Sequence, residues 1–248
     1  MTKSVGRPPT RRRTSAAAIA ALFACMVLAD AAPGAGIGSP VIIVNNVTGT
    51  PKSQEPRILR VGVDLFADEI VKTADKSVAR IVFEDQTKLE IGPLSEVVLD
   101  RFVYDPNRSD SEMAVSIAKG IARFTTGVLQ HDKYTIKTPT ATIGVRGTVL
   151  DLRTDASGTW VYVADGSITV TANGITVVVN AGQATSVPPG GVPAPPADVP
   201  RPTDITRMQA LLWDAMTPGI ITSLTTLGAG TPVVIQNNCV SQSSSTCN

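Results

Sequence analysis

Between about Ile58 and Val187 the chain alternates apolar and polar residues with a period of two. The runs are short, and turn residues break them at spacings of roughly 8–12. A strand sends successive side chains to opposite faces, so this pattern specifies strands with one buried face. "SVARIVF" puts Ala79, Ile81 and Phe83 on one face, and "TKLEI" puts Leu89 and Ile91 inward with its charges outward. "SEMAVSIAKG" alternates Met113, Val115 and Ile117 with polar neighbours. "RILRVGVDLF", "SEVVLDRFVY", "KYTIKT", "GTWVYVADG", "GSITVTANG" and "GITVVVN" complete the set, punctuated by "EDQT", "YDPNRSD", "ADG", "ANG" and "AGQ". No run in this region has a helical period, so the fold class is all-β. Aromatics are only 4% of the chain, which makes the core aliphatic. Sandwich, barrel and solenoid all satisfy such a pattern. Short strands and single-glycine corners favour a twisted β-solenoid-like winding.

One stretch breaks the alternation. In "TPTATIGVRGT", Pro139, Ala141, Ile143 and Val145 are the apolar members of a strand, with Thr138, Thr140, Thr142 and Arg146 on the other face. After Gly147 the apolar phase moves to even numbers, with Leu150 and Leu152 inward and Asp151 and Arg153 outward. Such a flip needs an inserted residue or a corner. Gly144 and Gly147 permit the backbone angles or close approach that a corner needs. The motif residues are thus Thr138, Pro139, Thr140, Ile143, Gly144, Arg146, Gly147 and Thr148. Arg146 is expected to form a structural bridge, with a partner contact as the sharper alternative. A phosphate-binding reading fails, because "GVRG" lacks the lysine and the strand-to-helix setting of a phosphate loop.

The ends differ from the middle. Lys3, Arg7, Arg11, Arg12 and Arg13 precede "AAAIAALFACMVLA", an apolar run of 14 residues. A spanning helix needs about 20. A basic start, a short apolar run and "ADA" describe a signal peptide over 1–31 with cleavage after Ala31. The expected location is periplasmic or secreted, with lipidation at Cys25 as the alternative. Cleavage leaves 17 basic against 20 acidic residues, a net charge of −3. That balance disfavours a nucleic-acid partner, which needs a basic footprint. Residues 32–56 read as a lead-in with one short run, "VIIV". Residues 57–187 form the β domain. Residues 188–202 hold seven prolines and read as an extended spacer. Residues 203–248 carry a helix and tail. Thr203 is the expected cap, Ile205, Met208, Leu212 and Met216 share a face, and Pro218-Gly219 stops the helix. A helix this short must dock, on this domain or on a partner. Cys239 and Cys247 form an even pair in an exported chain, and a disulfide between them is the expectation.

Candidate chemistry is sparse. His131 is the only histidine, and nothing places it beside a nucleophile. One histidine and two tail cysteines cannot build a structural zinc site. Asp100, Asp105 and Asp110 with Asn107 fit turns better than a calcium loop. Asp68-Glu69 and Glu84-Asp85 read as solvated turn charges. No cofactor, metal or catalytic residue is expected.

"TPTATIGVRGT" also resembles the signature of the FecR domain family, and the likeness runs from about Leu59 to Val187. "FEDQTKLEIGPLSEVVLDRFVYDP" resembles the family's D-G-T-x-L-x-L-G-P-x-S segment, with Gln86 where glycine is usual. "AKGIARFTTG" resembles K-G-x-x-R-F-x-S-G, and "VYVADGSITV" and "VNAGQATSV" resemble the strands that follow. The resemblance implies an extracytoplasmic, twisted all-β module without catalytic residues. Familiar members are transmembrane anti-sigma regulators that relay a signal from an outer-membrane transporter, often one for iron chelates. This chain departs from that plan: only about 15 residues precede the apolar run, and no run is long enough to span a membrane. The expectation is therefore an exported, non-enzymatic envelope module. It would bind a protein partner in a sensing or regulatory system, through an edge strand or the tail helix. The alternative is a structural or polysaccharide-binding envelope protein.

Overall fold

The computed structural model describes residues 2, 35–104, 111–130, 132–216, 235–236 and 239–240. The leader from Lys3 through Ala31, His131, Asp105, Asn107, Asp110, Pro218, Gly219 and Cys247 lie outside the described residues, as does the expected pairing of Cys247 with Cys239. The chain divides into two compact units, Met1–Pro33 and Gly34–Asn248; the second carries the fold.

Fourteen strands join in one continuous sheet. They are β1 (Gly38–Val44), β2 (Val47–Thr50), β3 (Arg57–Ile58), β4 (Glu69–Thr73), β5 (Val78–Phe83), β6 (Lys88–Ile91), β7 (Glu96–Val103) and β8 (Glu112–Thr125). Then follow β9 (Tyr134–Lys137), β10 (Thr142–Asp155), β11 (Gly158–Ala172), β12 (Ile175–Asn180), β13 (Gln183–Val187) and β14 (Ala197–Asp198). Helix α1 (Thr203–Met216) comes next, and β15 (Ile235–Gln236) pairs with β16 (Cys239–Val240). The all-β class is as the alternation predicts. Every described pairing is antiparallel except β8 with β9, and this pairing does not establish the expected solenoid-like winding.

The sheet folds over on itself because three long strands each serve two halves. In one half the order is β3-β2-β4-β7-β8-β9-β10-β11-β12; in the other it is β1-β5-β6-β8-β10-β11-β13-β14. β8 pairs with β7 and β9 up to Lys119 and with β6 and β10 from Gly120 onward. β10 pairs with β9 up to Val145 and with β8 from Val149. β11 pairs with β13 up to Tyr162 and with β12 from Ser167. The two inner faces share one large core that runs from Val47 and Val71 through Phe124, Ile143 and Leu150 to Val179. A strand that changes sheets must bend, and each of these does so at a glycine with positive φ: Gly120 (104°), Gly147 (58°) and Gly166 (79°).

The phase flip in "TPTATIGVRGT" is the β10 corner. Ile143 and Val145 are buried before it and Leu150 and Leu152 after it, and the register with β11 slips between Arg146 and Val149. Thr148 stitches the corner: its backbone N–H donates to Thr126 Oγ1 (3.0 Å), and its Oγ1 donates to the Ser167 carbonyl (2.8 Å). "ADG" (Ala164–Gly166) is not a chain reversal as its composition suggests. It is the matching bend in β11, which continues to Ala172.

Three other expectations change. The lead-in supplies two paired strands, β1 and β2, and Val47 lies in the main core. "RILRVGVDLF" gives only the two-residue β3 and then turns. The proline-rich segment is not a free spacer. Its extended backbone lies along β13, with Ala197 opposite Ala184, the Ala194 N–H on the Ser186 carbonyl (2.9 Å), and Thr185 Oγ1 on the Ala194 carbonyl (2.6 Å). Proline suits such an edge position, because a missing N–H costs nothing where no further strand pairs.

The corners give a rank order. A side chain at Gly147 meets left-handed strain, so Gly147→Ala lowers stability by about 1–2 kcal/mol. A Cβ at Gly166 would also lie 2.2 Å from the Gly147 carbonyl oxygen, so Gly166→Ala costs more. Urea unfolding of both variants checks this; equal, small losses would remove the corner assignment.

Candidate functional site

On the outer face of the second half-sheet, four charged side chains occupy one register line. Arg80 on β5 faces Glu90 on β6, Glu90 faces Arg123 on β8, and Arg123 faces Asp151 on β10. Arg80 Nη2 lies 2.7 Å from Glu90 Oε1. Arg123 grips Asp151 bidentately, Nε to Oδ1 at 2.5 Å and Nη2 to Oδ2 at 2.7 Å. Opposite charges on adjacent strands attract, and the forked guanidinium matches a carboxylate.

Period-two reading puts Glu90 and Asp151 in solvent, yet both are buried, Asp151 completely. The cover comes from distant sequence. Arg201, just before α1, brings Nε to 3.5 Å from Asp151 Oδ2 and donates Nη2 to Gln209 Oε1. Gln209 Nε2 in turn points at Glu90 Oε2 (3.5 Å). Beside the charges, Ile205, Met208 and Leu212 of α1 form a second, smaller core with Ile42 and Val78, edged by Val44 and Ile121. The helix therefore docks on its own domain. Its expected apolar face holds at Ile205, Met208 and Leu212; the side chain of Met216 is outside the described ones. Asp204, rather than Thr203, serves the first turn by accepting from the Ile205 N–H (2.9 Å). A cleft of about 570 Å³ opens alongside, lined by Leu94, Lys119, Ile121, Arg153 and neighbours.

A second buried polar group lies at "EDQT". Asp85 is fully buried rather than solvated. Its Oδ1 accepts from the Thr87 N–H (3.0 Å), and its Oδ2 accepts from Thr87 Oγ1 (2.6 Å) and Tyr134 Oη (2.9 Å). Tyr134 Oη accepts from the Leu129 N–H (3.0 Å). Burial, first of all, pushes the Tyr134 phenol up to about 12, and the Asp85 charge adds to it. Gln86 has φ of 67°, which accounts for glycine being usual at that motif position. Gly127 packs so closely that a Cβ would lie 2.0 Å from the Asp85 carbonyl oxygen. Glu69 is the other misread turn charge: it is buried against Arg57 (3.0 Å) and the Phe66 N–H (3.0 Å). Glu84 and Asp68 are exposed as expected.

The remaining motif residues are structural or exposed. The Ala141 N–H donates to Thr138 Oγ1 (3.0 Å), and Thr140 Oγ1 donates to Thr159 Oγ1 (2.8 Å). Gly144 lies opposite Thr169, whose Oγ1 would stand 2.7 Å from a Cβ there. Pro139 is exposed in the turn before β10, and Ile143 is core. Arg146 is exposed and makes no ion pair among the described residues, so the expected bridge is not formed there. Among the described residues no group of three or more His, Cys, Asp or Glu could hold a metal, and no helix is long and apolar enough to cross a membrane.

Two predictions follow from these networks. Asp151→Asn strands the buried Arg123 and costs about 3–5 kcal/mol, whereas Arg123→Met with Asp151→Leu recovers most of the loss. Denaturant unfolding separates the cases, and an Asn variant as stable as the parent would contradict the ladder. For Tyr134, the folded phenol holds its proton longer than the unfolded one. Its contribution is complete below pH 10 and is lost as pH rises toward about 12. Stability measured from pH 9 to 12 should fall, and less steeply in Tyr134→Phe; identical slopes would refute it.

Residues 69–169 match the family model described as FecR protein. No curated protein sequence matches the chain. Two crystal structures of a candidate anti-sigma factor from Parabacteroides distasonis ATCC 8503 are similar to it, each at 13% identity with a TM-score of 0.43. Each match covers 52% of this chain, which spans 59% of the length of those solved chains. Residues 69–169, which contain the Asp85 network, the charge ladder from Arg80 to Asp151 and all three glycine corners, are a FecR domain.

Proposed function

We propose that this chain is an exported, non-enzymatic module of a cell-envelope sensing or regulatory system, and that it acts by binding another protein. Family membership of residues 69–169 supports the regulatory reading. The observation that carries protein binding is the edge strand β12. Among the described residues it pairs only with β11, and it exposes Ile175 and Val178. Its sequence "ITVVVN" has no charge and no proline. Natural edges are blunted by such residues, and an open apolar edge invites an added strand. Pairing there supplies backbone hydrogen bonds for affinity and side-chain pockets for selectivity.

A second reading, glycan contact, is favoured by one feature. Trp160 and Tyr162 lie half-buried side by side on β11, their rings 6.3 Å apart and 4° from parallel. Stacked rings of this kind offer an apolar platform to a sugar face.

Val178→Lys separates the readings. Capture from envelope extracts by the full chain should retain a protein partner, and the Lys variant should lose it about tenfold with an unchanged melting temperature. Retention of isolated glycan alone, equal in both chains, would overturn the protein-binding reading.

A further inference from the structure

We infer that the face beneath α1 is a receiving groove for an amphipathic helix, and that α1 with Arg201 is its resident occupant. A partner helix of the same chemistry displaces it: a basic residue followed by apolar residues four, seven and eleven positions later. This names a second surface for a protein partner, independent of β12.

The groove is built for a helix. Ile42, Val78 and Ile121 form its apolar floor. Gly92 leaves the space that the Met208 side chain uses, since a Cβ there would stand 3.1 Å from Met208 Sδ and 3.2 Å from Ile121 Cβ. Ile205, Met208 and Leu212 recur at i, i+3 and i+7, the anchor pattern of helix-in-groove recognition. The charge line sets polarity. Asp151 is wholly buried and takes its outer contact from Arg201, and Glu90 takes one from Gln209. A competing helix must therefore carry a cation where Arg201 lies.

Apolar anchors seat the occupant: Ile205, Met208 and Leu212 are buried, whereas the polar contacts from α1 to the strands are long, Asp204 to Arg153 at 3.4 Å and Gln209 to Glu90 at 3.5 Å. Removing the helix opens a face whose charges remain paired with each other through Arg80–Glu90 and Arg123–Asp151. The last backbone hydrogen bond from the proline-rich segment to the β domain is the Val199 N–H on the Gly182 carbonyl (3.2 Å), and beyond it Arg201 meets Asp151 through its side chain.

The test uses the full chain and a fluorescent peptide of residues 199–216. Met208→Glu, which leaves every strand residue unchanged, expels the resident helix. A site more than nine-tenths occupied lowers a competitor's apparent affinity at least about tenfold. The variant should therefore bind the peptide at least about tenfold tighter than the parent chain, Leu212→Glu should do the same, and Arg201→Glu in the peptide should abolish the gain. Equal binding to parent and variants would overturn the proposal. So would loss of the cooperative β-domain melt in both variants, which would make α1 part of the core. A parent dimer that both variants dissolve would also overturn it, by assigning the groove to a second copy. Loss of the β12 partner in Val178→Lys leaves this result unaffected.

Discussion

Three strands in this fold belong to two sheet halves at once, and everything else is arranged around the bends this demands. β10 and β11 turn where Gly147 and Gly166 touch, close enough that neither backbone leaves room for a side chain at Gly166. β8 bends at Gly120, whose φ of 104° excludes ordinary residues. There Ser95 Oγ accepts from the Ile121 N–H (3.0 Å), so the β6–β7 connection is pinned to the bend. The registers place the β8 bend and the β10 bend at opposite ends of the shared segment, since Gly120 pairs with Thr154 and Thr125 with Val149. The chain is thereby closed over one core from both ends.

The motif residues gain a physical meaning from this geometry. Asp85, Thr87 and Gly127 form one hydrogen-bonded joint under Tyr134. Ser95 and Ile121 form another beside Gly120, and Arg123 supplies the centre of the charge ladder. Among the described residues no buried side-chain nitrogen or oxygen lacks a hydrogen-bond partner. A satisfied polar network costs little to keep and much to break. Such a network fixes one register among many that a threonine- and valine-rich array could adopt. The signature therefore reports how the domain is held, and the surfaces proposed to act are β12 and the face beneath α1.

Much of this was legible in the residues. Alternation located nearly every long strand, and the phase change between Val145 and Leu150 located the β10 corner. The errors share a cause. Glu69 and Asp85 look like solvent-facing charges because they lie in polar turn sequences, and Glu90 and Asp151 because they alternate with inward apolar residues. Each is buried by a group its own segment does not contain: Arg57 for Glu69, Tyr134 for Asp85, and α1 with Arg201 for the ladder. Period two states which face a residue occupies, not whether that face is later covered. "ADG" misled for a related reason. A glycine with positive φ serves a tight turn and a strand bend equally, and only the register of β11 against β10 distinguishes them.

The make-up of the face under α1 bears on its proposed release. Hydrophobic anchoring by three side chains contributes a limited stabilisation, on the order of 1.5–3 kcal/mol for each if fully buried. Ordering a helix of this length opposes it. Were the face beneath purely apolar, exposing it would promote aggregation, and the helix would be obligatory. Here the face is part apolar and part ion pairs that are complete without the helix, so its uncovered form is tolerable in water. A surface that tolerates both conditions has one physical requirement of a two-state element. The proline-rich strap adds another. By pairing along β13 it keeps α1 near its seat after release, which sets the local concentration against which any partner helix must compete.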